Sequence, residues 1–429
     1  MTVLIAGAGI AGLTLGLSLQ RAGIPFRLFE AVEELRPLGV GINLQPHAVR
    51  ELFELGLEDD LDALGLRTRE VVYFNSFGQE VWREPRGRAA GYHWPQYSVH
   101  RGKLQMLLLR RLIAEAGEGA VRRGVAVRGW HERGDGITIT LEDRRSGRSA
   151  GMAEGTLLIG ADGINSTIRA RLYPAEGAAQ WGGTIMWRGI TRGARFLSGR
   201  SVAMAGTKAQ KFVCYPIADL PDGGSLINWI ADLAMPAGHD WRPQNWNRPG
   251  LRADFAHRFS GWHFDWLDIP AVIAGAEGIW EFPMVDRDPL PRWSFGRVTL
   301  MGDAAHAMYP IGSNGASQAI VDARVLTREL LLHGATSEAL AAYEDARREA
   351  VNALVLANRG DGPDRILDIV AERAPQGFDD IEALMPHAER AALAAQYKQT
   401  AGMDVAALNA RLPLVPAEIP GRRSRERAP

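Results

Sequence analysis

The chain opens with the stretch that decides its fold, which reads TVLIAGAGIAG at residues 2–12. The apolar run at residues 2–6 is typical of a buried parallel strand, and residues 13–23 are typical of a helix that ends at a glycine. Residues 26–29 predict a second strand, which Glu30 follows directly. This order of strand, glycine turn, helix and strand predicts a βαβ unit that binds a dinucleotide.

Each glycine of this first turn has its own physical task. Gly7 permits the tight turn out of the strand, and Gly9 has no side chain, so that a pyrophosphate can approach the backbone. Ala11 of the same turn is a further candidate for cofactor binding. Gly12 lets the helix pack closely on the sheet. Glu30 can accept hydrogen bonds from a ribose hydroxyl, which favours FAD or NAD over NADP at this site.

Two further apolar strands end in turns that contain glycine and aspartate. Residues 156–160 predict a strand that leads into Asp162 and Gly163, and residues 297–301 predict another that leads into Gly302 and Asp303. A loop rich in glycine and proline follows at residues 310–315, and residues 316–331 predict a helix. We also consider that Asp162 and Asp303 each cap a helix, which for Asp162 would begin near residue 164.

Taken together, the three turns resemble the signature of class A flavoprotein monooxygenases of the para-hydroxybenzoate hydroxylase type, over roughly residues 3–357. The resemblance implies an α/β fold with a Rossmann-like FAD-binding lobe, a β-sheet substrate lobe and C-terminal helices. It implies FAD as cofactor, NADH or NADPH as co-substrate, and hydroxylation of an aromatic substrate by O2 through a flavin C4a-hydroperoxide.

The resemblance also assigns residues to the cofactor. Asp303 would bind the ribityl chain, Asp162 and Gly163 would contact FAD and transiently NAD(P)H, and the loop at 310–315 would border the flavin ring. The helix after this loop would direct its N-terminus at the electron-rich edge of the flavin. His306 is left out, because in this family its position packs beside the cofactor. The remaining candidates are Arg101, Gln105 and Val127 for FAD, Gly315 in the loop, and Pro310, Gly312 and Asn314 as catalytic loop residues.

A narrower resemblance points to the phenazine-carboxylate hydroxylases. It rests on residues 37–46, 82–87, 95–102, 185–189, 283–291 and 308–310. It implies a heteroaromatic acid such as a phenazine carboxylate as substrate, in secondary metabolism and antibiotic biosynthesis. It leaves open whether the new hydroxyl replaces a ring hydrogen or a ring carboxyl. Flavin chemistry shared by other members of the class is an alternative explanation of these stretches.

Residues 174–288 predict the substrate lobe, with antiparallel strands at 184–191, 211–217 and 225–231. Met186, Arg188 and Tyr215 are the candidates to line its pocket. Arg188 would bind a substrate carboxylate or, alternatively, form a surface ion pair. Nine of the 12 tryptophans lie between Trp181 and Trp293, either as walls for a flat aromatic ligand or as core beneath the sheet.

The domain organisation follows from these segments. We predict a discontinuous FAD-binding lobe at 1–173 and 289–360, the substrate lobe at 174–288, and a C-terminal helical segment and tail at 361–429. Residues 319–359 predict helix, and the loop at 40–45, which has glycine on its flanks, would permit the flavin to move. The basic residues of the tail predict a frayed end: Arg422, Arg423, Arg425 and Arg427.

Composition excludes several other classes. The net charge of −1 gives no field for nucleic acid, and no apolar run is long enough for a membrane span. The single Cys214 permits no disulfide and no cysteine-based metal site, and this fits a cytoplasmic location. We expect no metal, and we expect a monomer or a homodimer, in which the C-terminal segment would support the dimer. The alternatives within the fold are an oxidase, epoxidase or halogenase, and a scaffold without redox chemistry like the GDP-dissociation inhibitors.

Overall fold

The computed structural model describes residues 1–241, 248–360 and 362–416. The basic residues of the predicted tail, together with Trp246 and Asp361, lie outside this part of the chain. Among the described helices, none has both the length and the apolar character that crossing a bilayer requires.

Strands and helices alternate through the first third of the chain, and helices dominate after residue 300. The strands are β1 (Val3–Ala6), β2 (Phe26–Glu30), β3 (Gly41–Leu44), β4 (Leu66–Thr68), β5 (Glu70–Phe74), β6 (Glu80–Pro85), β7 (Gln96–His100), β8 (Val121–Arg123), β9 (Val125–Arg133), β10 (Gly136–Asp143), β11 (Ser149–Gly155), β12 (Leu157–Gly160), β13 (Gln180–Gly193), β14 (Ser201–Gly206), β15 (Gln210–Asp219), β16 (Ser225–Ala234), β17 (His263–Phe264), β18 (Leu267–Asp268), β19 (Ile279–Asp286), β20 (Ser294–Phe295) and β21 (Val298–Leu300). The helices are α1 (Ile10–Arg21), α2 (Pro46–Glu54), α3 (Glu58–Leu64), α4 (Arg101–Ala116), α5 (Thr167–Leu172), α6 (Arg252–Phe255), α7 (Ile269–Ala274), α8 (Asp303–His306), α9 (Gly315–His333), α10 (Ser337–Arg359), α11 (Arg365–Arg373), α12 (Ile381–Leu384), α13 (His387–Thr400) and α14 (Val405–Ala410).

A six-stranded sheet in the order β20-β21-β12-β1-β2-β8 forms the first layer, and only its β20–β21 pair is antiparallel. β1 lies at its centre, where Val3 pairs with Leu157 on one side and with Phe26 on the other. Helix α1 packs against α4 and α9, and its residues from Ile10 to Leu19 are buried. The predicted βαβ unit and the α/β fold with a Rossmann-like lobe are therefore confirmed.

A seven-stranded sheet forms the second layer, in the order β19-β13-β16-β15-β14-β5-β6. Its strands are antiparallel except for the β14–β5 pair. The predicted strands at 184–191, 211–217 and 225–231 all belong to it, while β5 and β6 join from the N-terminal part of the chain. Helices α6 and α7 supply part of the apolar layer that covers one face of this sheet. Its other face lines the cavity described below and, on the side of β5 and β6, packs against helices α11 and α13.

The predicted loop at residues 40–45 is wrong, because Gly41–Leu44 form a strand that pairs with β7. The backbone of Gly41 is held on both sides: its N–H donates to Oδ1 of Asn228 at 2.6 Å, and its carbonyl accepts from Arg188. A Cβ at Gly41 would lie 2.7 Å from the side chain of Asn228, so this close contact requires glycine. The segment therefore joins the three-stranded sheet β3-β7-β4 to the seven-stranded sheet.

Candidate active site

The three glycine turns of the sequence meet at one cavity of about 1150 Å³ between the two layers. This volume exceeds the usual range of sites for drug-sized ligands, as a dinucleotide with a substrate beside it requires. Of the 18 residues predicted for the site, all but Gly12 and Asn314 line the cavity. Those that line it are Gly7, Gly9, Ala11, Glu30, Arg101, Gln105, Val127, Asp162, Gly163, Met186, Arg188, Tyr215, Asp303, Pro310, Gly312 and Gly315.

The first turn shows three different needs for glycine. Gly7 has a φ of 102°, and a Cβ there would lie 2.4 Å from the carbonyl oxygen of Ala161 in the second turn. A Cβ at Gly12 would lie 2.0 Å from the carbonyl oxygen of Gly7, so Gly12 acts through packing alone. At Gly9 no protein atom lies within 4 Å of a Cβ, because this position opens into the cavity. Only Gly9 thus keeps space for a ligand.

Two polar side chains hold the backbone of this turn at Ala8. Oε2 of Glu30 accepts from the Ala8 N–H at 2.6 Å, and Nε2 of Gln105 donates to the Ala8 carbonyl at 2.7 Å. Oε1 of Glu30 also accepts from the N–H of Val32, at 2.7 Å. A carboxylate has about four lone-pair sites, so Glu30 keeps acceptor capacity for a ribose hydroxyl.

In the second turn, the N-cap of the following helix is Ser166, and Asp162 both supports the start of that helix and lines the cavity. Its Oδ2 accepts from the N–H of Thr167 at 2.8 Å, and its Oδ1 accepts from the hydroxyl of Ser166. Burial raises the pKa of Asp162, although these hydrogen bonds act in the opposite direction. The helix begins at Thr167, three residues later than predicted, and Oγ1 of Thr167 donates to the carbonyl of Val127 at 2.9 Å.

The third turn is supported from behind by a buried ionic cluster centred on Asp322. Oδ2 of Asp322 accepts from the N–H of Gly302 at 3.0 Å and lies 2.6 Å from Nε2 of His306. Its Oδ1 accepts from Nε of Arg347 at 2.8 Å. His306 packs on Trp293 and does not line the cavity, so its side chain stabilises the turn from behind.

Asp303 itself is exposed to the cavity at the start of α8. Its Oδ1 would lie 3.9 Å from a Cβ at Gly315, which brings the third turn beside the loop. Desolvation lowers the pKa of Arg101, while the carboxylate of Asp303 acts to raise it. Because an arginine retains its charge in proteins, the cavity carries a cation and an anion next to each other here.

The loop at residues 310–315 has an unusual backbone. Gly312 has a φ of 70° and Ser313 a φ of 57°, a region that costs energy for any residue other than glycine. Nε2 of Gln45 donates to the carbonyl of Gly312 at 3.1 Å. Asn314, predicted to act in catalysis, is fully buried behind the loop, and its Nδ2 donates to the hydroxyl of Tyr397 at 2.9 Å. Its side chain therefore acts on the loop and not in the cavity.

The substrate wall follows from strand register. In β13, Met186 pairs with Asp232 and Arg188 with Ile230 of β16, and the next strand places Lys211 beside Asp232. Since alternate residues of a strand share a face, these side chains point to the same side of the sheet. Phe282 and Met284 of β19 and Val213 and Tyr215 of β15 extend this wall.

Arg188 faces the cavity and not the outer surface, so the alternative of a surface ion pair is wrong. Its Nη2 donates to the carbonyl of Gly41 at 2.8 Å. Desolvation lowers its pKa, and the neighbouring Tyr215 and Asp232 act to raise it. Burial raises the pKa of Tyr215 to about 12, so its hydroxyl keeps its proton at neutral pH.

Sequence reasoning missed a charged group on the same wall. Lys211 forms an ion pair with Asp364 and lies 3.7 Å from Oδ2 of Asp232. Oδ1 of Asp232 is buried without a hydrogen-bond partner among the described residues, and burial raises the pKa of this carboxyl to about 6. Charged residues within strands that are otherwise apolar were the available signal, at both Lys211 and Asp232.

The tryptophans mostly fill the core on the opposite face of the sheet. Trp187 stacks on Phe255, and Trp229 packs against Phe212 and Phe255. Across the part of the chain that the structure describes, no tryptophan lines the cavity. The interpretation of these residues as core is therefore confirmed for Trp187 and Trp229.

The donor set of the cavity fits FAD. Open space at Gly9 lies beside the N-terminus of α1, where free N–H groups and the helix dipole favour a pyrophosphate. Glu30 stands at the end of β2 for a ribose, and Asp303 stands between the first turn and the loop at 310–315. Met186 and Arg188 line the part of the cavity that the sheet forms, and this part remains available for a substrate.

Comparison with known proteins also points to a protein that binds FAD. The family model for the FAD binding domain matches residues 1–207 and 276–358. The phenazine 1,6-dicarboxylic acid hydroxylase PhzS of Lysobacter antibioticus is 45% identical over 361 residues, which cover 83% of this chain and 89% of that protein. The aurachin C monooxygenase/isomerase of Stigmatella aurantiaca is 34% identical over 83% of this chain and 87% of its own length.

Solved structures share the fold over nearly the whole chain. The HpxO protein of Klebsiella pneumoniae, in complex with FAD and uric acid, is 25% identical with a TM-score of 0.70 and covers 94% of this chain and 95% of its own. A salicylate hydroxylase in a substrate complex has a TM-score of 0.72 at 24% identity, over 95% and 97% of the two chains.

Proposed function

The chain belongs to the FAD-dependent aromatic hydroxylases, and from this premise we propose that its substrate is a planar heteroaromatic carboxylate that binds to Arg188. Members of this family are monooxygenases that use FAD, O2 and a reduced nicotinamide, which disfavours the oxidase and the scaffold without redox chemistry. The proposal concerns what the cavity accepts.

The observation that carries the proposal is the position of Arg188 in the cavity wall. Gly41 accepts one N–H of the guanidinium and Tyr215 interacts with it as well, but the Nε–H is buried without a hydrogen-bond partner among the described residues. A desolvated guanidinium is best stabilised by an anion of matching shape, and a carboxylate can accept two parallel hydrogen bonds from it. The apolar side chains of Met186, Phe282 and Met284 on the same wall suit the face of a flat ring.

Sequence similarity to a known hydroxylase supports a tricyclic heteroaromatic ring as the substrate. The relative with 45% identity is named for phenazine 1,6-dicarboxylic acid, a tricyclic N-heteroaromatic with two carboxylates. We propose a phenazine carboxylate as the first compound to test, within secondary metabolism.

The bound FAD supplies the transfer of one oxygen atom from O2, with electrons from the nicotinamide. This chain's own residues bind and orient the ring, exclude water and hold charge near the reacting atoms. When a ring hydrogen is replaced, the ring loses a proton; when a ring carboxylate is replaced, the ring loses CO2. In both cases the second oxygen atom of O2 leaves as water.

The test compares phenazine-1,6-dicarboxylate with unsubstituted phenazine on the FAD-loaded protein. Binding is followed by the flavin absorption spectrum, turnover by ligand-stimulated NADH or NADPH oxidation, and the product by mass after reaction with isotope-labelled O2. The dicarboxylate is expected to bind and to yield a product with one labelled oxygen, and the mass separates replacement of hydrogen from replacement of a carboxyl. Equal binding of unsubstituted phenazine would contradict the proposed role of Arg188, and peroxide as the sole oxygen product would contradict hydroxylation.

The sequence predictions of a monomer or homodimer and of a cytoplasmic location belong to the same proposal. Sedimentation of the FAD-loaded protein measures the first, and cell fractionation measures the second.

A further inference from the structure

The C-terminal helices reach the loop at residues 310–315. Helix α13 (His387–Thr400) lies beyond residue 358, where the match to the family model ends. Nevertheless its Tyr397 is 95% buried and stands directly behind the loop. Asp364, near the start of the same C-terminal segment, lines the cavity and pairs with Lys211. The segment after residue 361 is therefore part of the site's construction.

The hydroxyl of Tyr397 joins two asparagines. It donates to Oδ1 of Asn358 at 2.9 Å and accepts from Nδ2 of Asn314 at 2.9 Å. Both asparagines are fully buried, so each of these hydrogen bonds is shielded from water. One tyrosine thus links helix α10 to the residue that precedes helix α9.

Each asparagine also forms a hydrogen bond with the backbone of the loop or of the residue just before it. Nδ2 of Asn358 donates to the carbonyl of Tyr309 at 3.3 Å, just before the loop begins. Nδ2 of Asn314 also lies 3.2 Å from the carbonyl of Gly312. The loop is therefore held at its beginning, its middle and its end by one connected group.

The fit between Tyr397 and the loop leaves no free space. A Cβ at Gly312 would lie 1.8 Å from the hydroxyl oxygen of Tyr397. The positive φ of Gly312 and of Ser313 makes this loop conformation costly by itself, and such conformations persist where the surroundings enforce them. The contacts of Tyr397 provide that enforcement.

We propose that Tyr397 is a positioning residue, which fixes the loop at 310–315 against the flavin through Asn314 and Asn358. The inference rests on FAD occupying the cavity that this loop lines, and not on the identity of the substrate. Tyr397 does not line the cavity, so it acts through the loop and touches neither cofactor nor substrate.

The alternative is that Tyr397 only attaches the C-terminal segment to the rest of the protein. Tyr92 offers a matched control for that role. It is also buried, and its hydroxyl donates to the carbonyl of Met403 in the same C-terminal segment. Its contact does not involve the loop at 310–315.

The experiment compares Tyr397→Phe with Tyr92→Phe, each as purified full chain. The measurements are the FAD dissociation constant, the visible spectrum of the bound flavin, its reduction potential and the melting temperature. Tyr397→Phe removes both buried hydrogen bonds of the hydroxyl, so it is expected to raise the FAD dissociation constant at least about fivefold and to shift the flavin spectrum and potential. The two substitutions are expected to lower the melting temperature by similar amounts. Tyr92→Phe is expected to keep the flavin spectrum and the reduction potential of the natural protein.

Equal flavin properties in the two variants would overturn the proposal. If Tyr397→Phe does not fold, Asn358→Ala breaks the next contact in the same group, and a flavin spectrum and potential unchanged in that variant would overturn it equally. None of these measurements needs a substrate. A failure to find a heteroaromatic acid that binds would therefore contradict the proposed function alone.

Discussion

Arg188 donates a hydrogen bond from Nη2 to the carbonyl oxygen of Gly41, 2.8 Å away, and so the substrate wall is joined to strand β3. Asn228, two residues from the pairing partner of Arg188 on β16, holds the N–H of the same glycine. The orientation of Arg188 is thereby set before any ligand arrives, which lowers the entropy cost of binding an anion.

Replacing Arg188 by glutamine is expected to weaken the binding of a carboxylate substrate. A hydrogen bond to a charged group contributes about 1.5–3 kcal/mol, so KM should rise roughly 10-fold to 100-fold. The control is Arg192→Gln on the same strand, where the arginine is exposed and pairs with Asp222 at 3.4 Å. Steady-state kinetics with phenazine-1,6-dicarboxylate measure both, and an equal effect of the two substitutions would contradict the assignment.

Alanine at Gly9 should affect FAD binding, whereas alanine at Gly12 should affect the stability of the fold. A methyl group at Gly9 meets no protein atom within 4 Å, so Gly9→Ala should fold normally and bind FAD about tenfold more weakly, because the methyl occupies the pyrophosphate space. A methyl group at Gly12 meets the Gly7 carbonyl at 2.0 Å, so Gly12→Ala should lose about 3 kcal/mol of stability. Urea unfolding of the apoprotein and FAD titration measure the two effects. Natural FAD affinity in Gly9→Ala would contradict the placement of the cofactor.

Asp232→Asn is expected to stabilise the protein more at pH 8 than at pH 5. Burial raises the pKa of Asp232 to about 6, so its folded form binds a proton more tightly than the unfolded chain does. This contribution to stability is full below the unfolded pKa of about 4 and is lost as the pH rises through 6. Asparagine resembles the protonated carboxyl and carries no such loss.

Asp364→Asn is the matched control for that titration, with the opposite sign. Burial acts to raise the pKa of Asp364, but its ion pair with Lys211 outweighs burial and lowers it. The ionised carboxylate therefore stabilises the fold above pH 4, and its removal should lower the melting temperature at pH 8. At pH 8 the melting temperature should rise in Asp232→Asn and fall in Asp364→Asn. A change in the same direction in both variants would contradict the opposite effects assigned to the two carboxylates.

Asp322→Asn should destabilise the protein without altering any group that lines the cavity. Removing one partner of a buried ionic cluster costs about 3–5 kcal/mol. Burial acts to raise the pKa of Asp322, but His306 and Arg347 lower it to about 2, so its stabilising effect is present above pH 4 and is lost as the pH falls towards 2. Urea unfolding at pH 7 and pH 3 should show a smaller difference from the natural protein at pH 3. The exposed Asp345 gives the control, and Asp345→Asn should change stability by about 0.5 kcal/mol or less.

The cofactor side of the cavity could be predicted from the sequence because its constraints are local. Gly7 and Gly12 are required by backbone contacts within a few residues or with the neighbouring strand, and such requirements leave a readable spacing. The same local reasoning identified the turns that contain Asp162 and Asp303. It failed at residues 40–45, where the bonds that make Gly41 part of a strand come from distant residues.

The substrate wall and the support of the loop could not be predicted in this way. That Asp232 stands beside both Lys211 and Met186 depends on the register of three strands, which no single segment specifies. Asn314 lies in the predicted loop, but its side chain turns away from the cavity because its partner Tyr397 comes 83 positions later. Hydrogen bonds over such separations leave no periodic signal in the sequence.

That separation also has a consequence for biosynthesis. A ribosome has released the strands of both sheets well before it adds residue 397, at about 5–20 residues per second. During this interval the nascent chain can form its cofactor-binding turns while the loop beside them still lacks its hydroxyl partner. The loop therefore acquires its final geometry only after helix α13 has been synthesised, and a transcript truncated within this helix would yield a protein whose loop is never fastened.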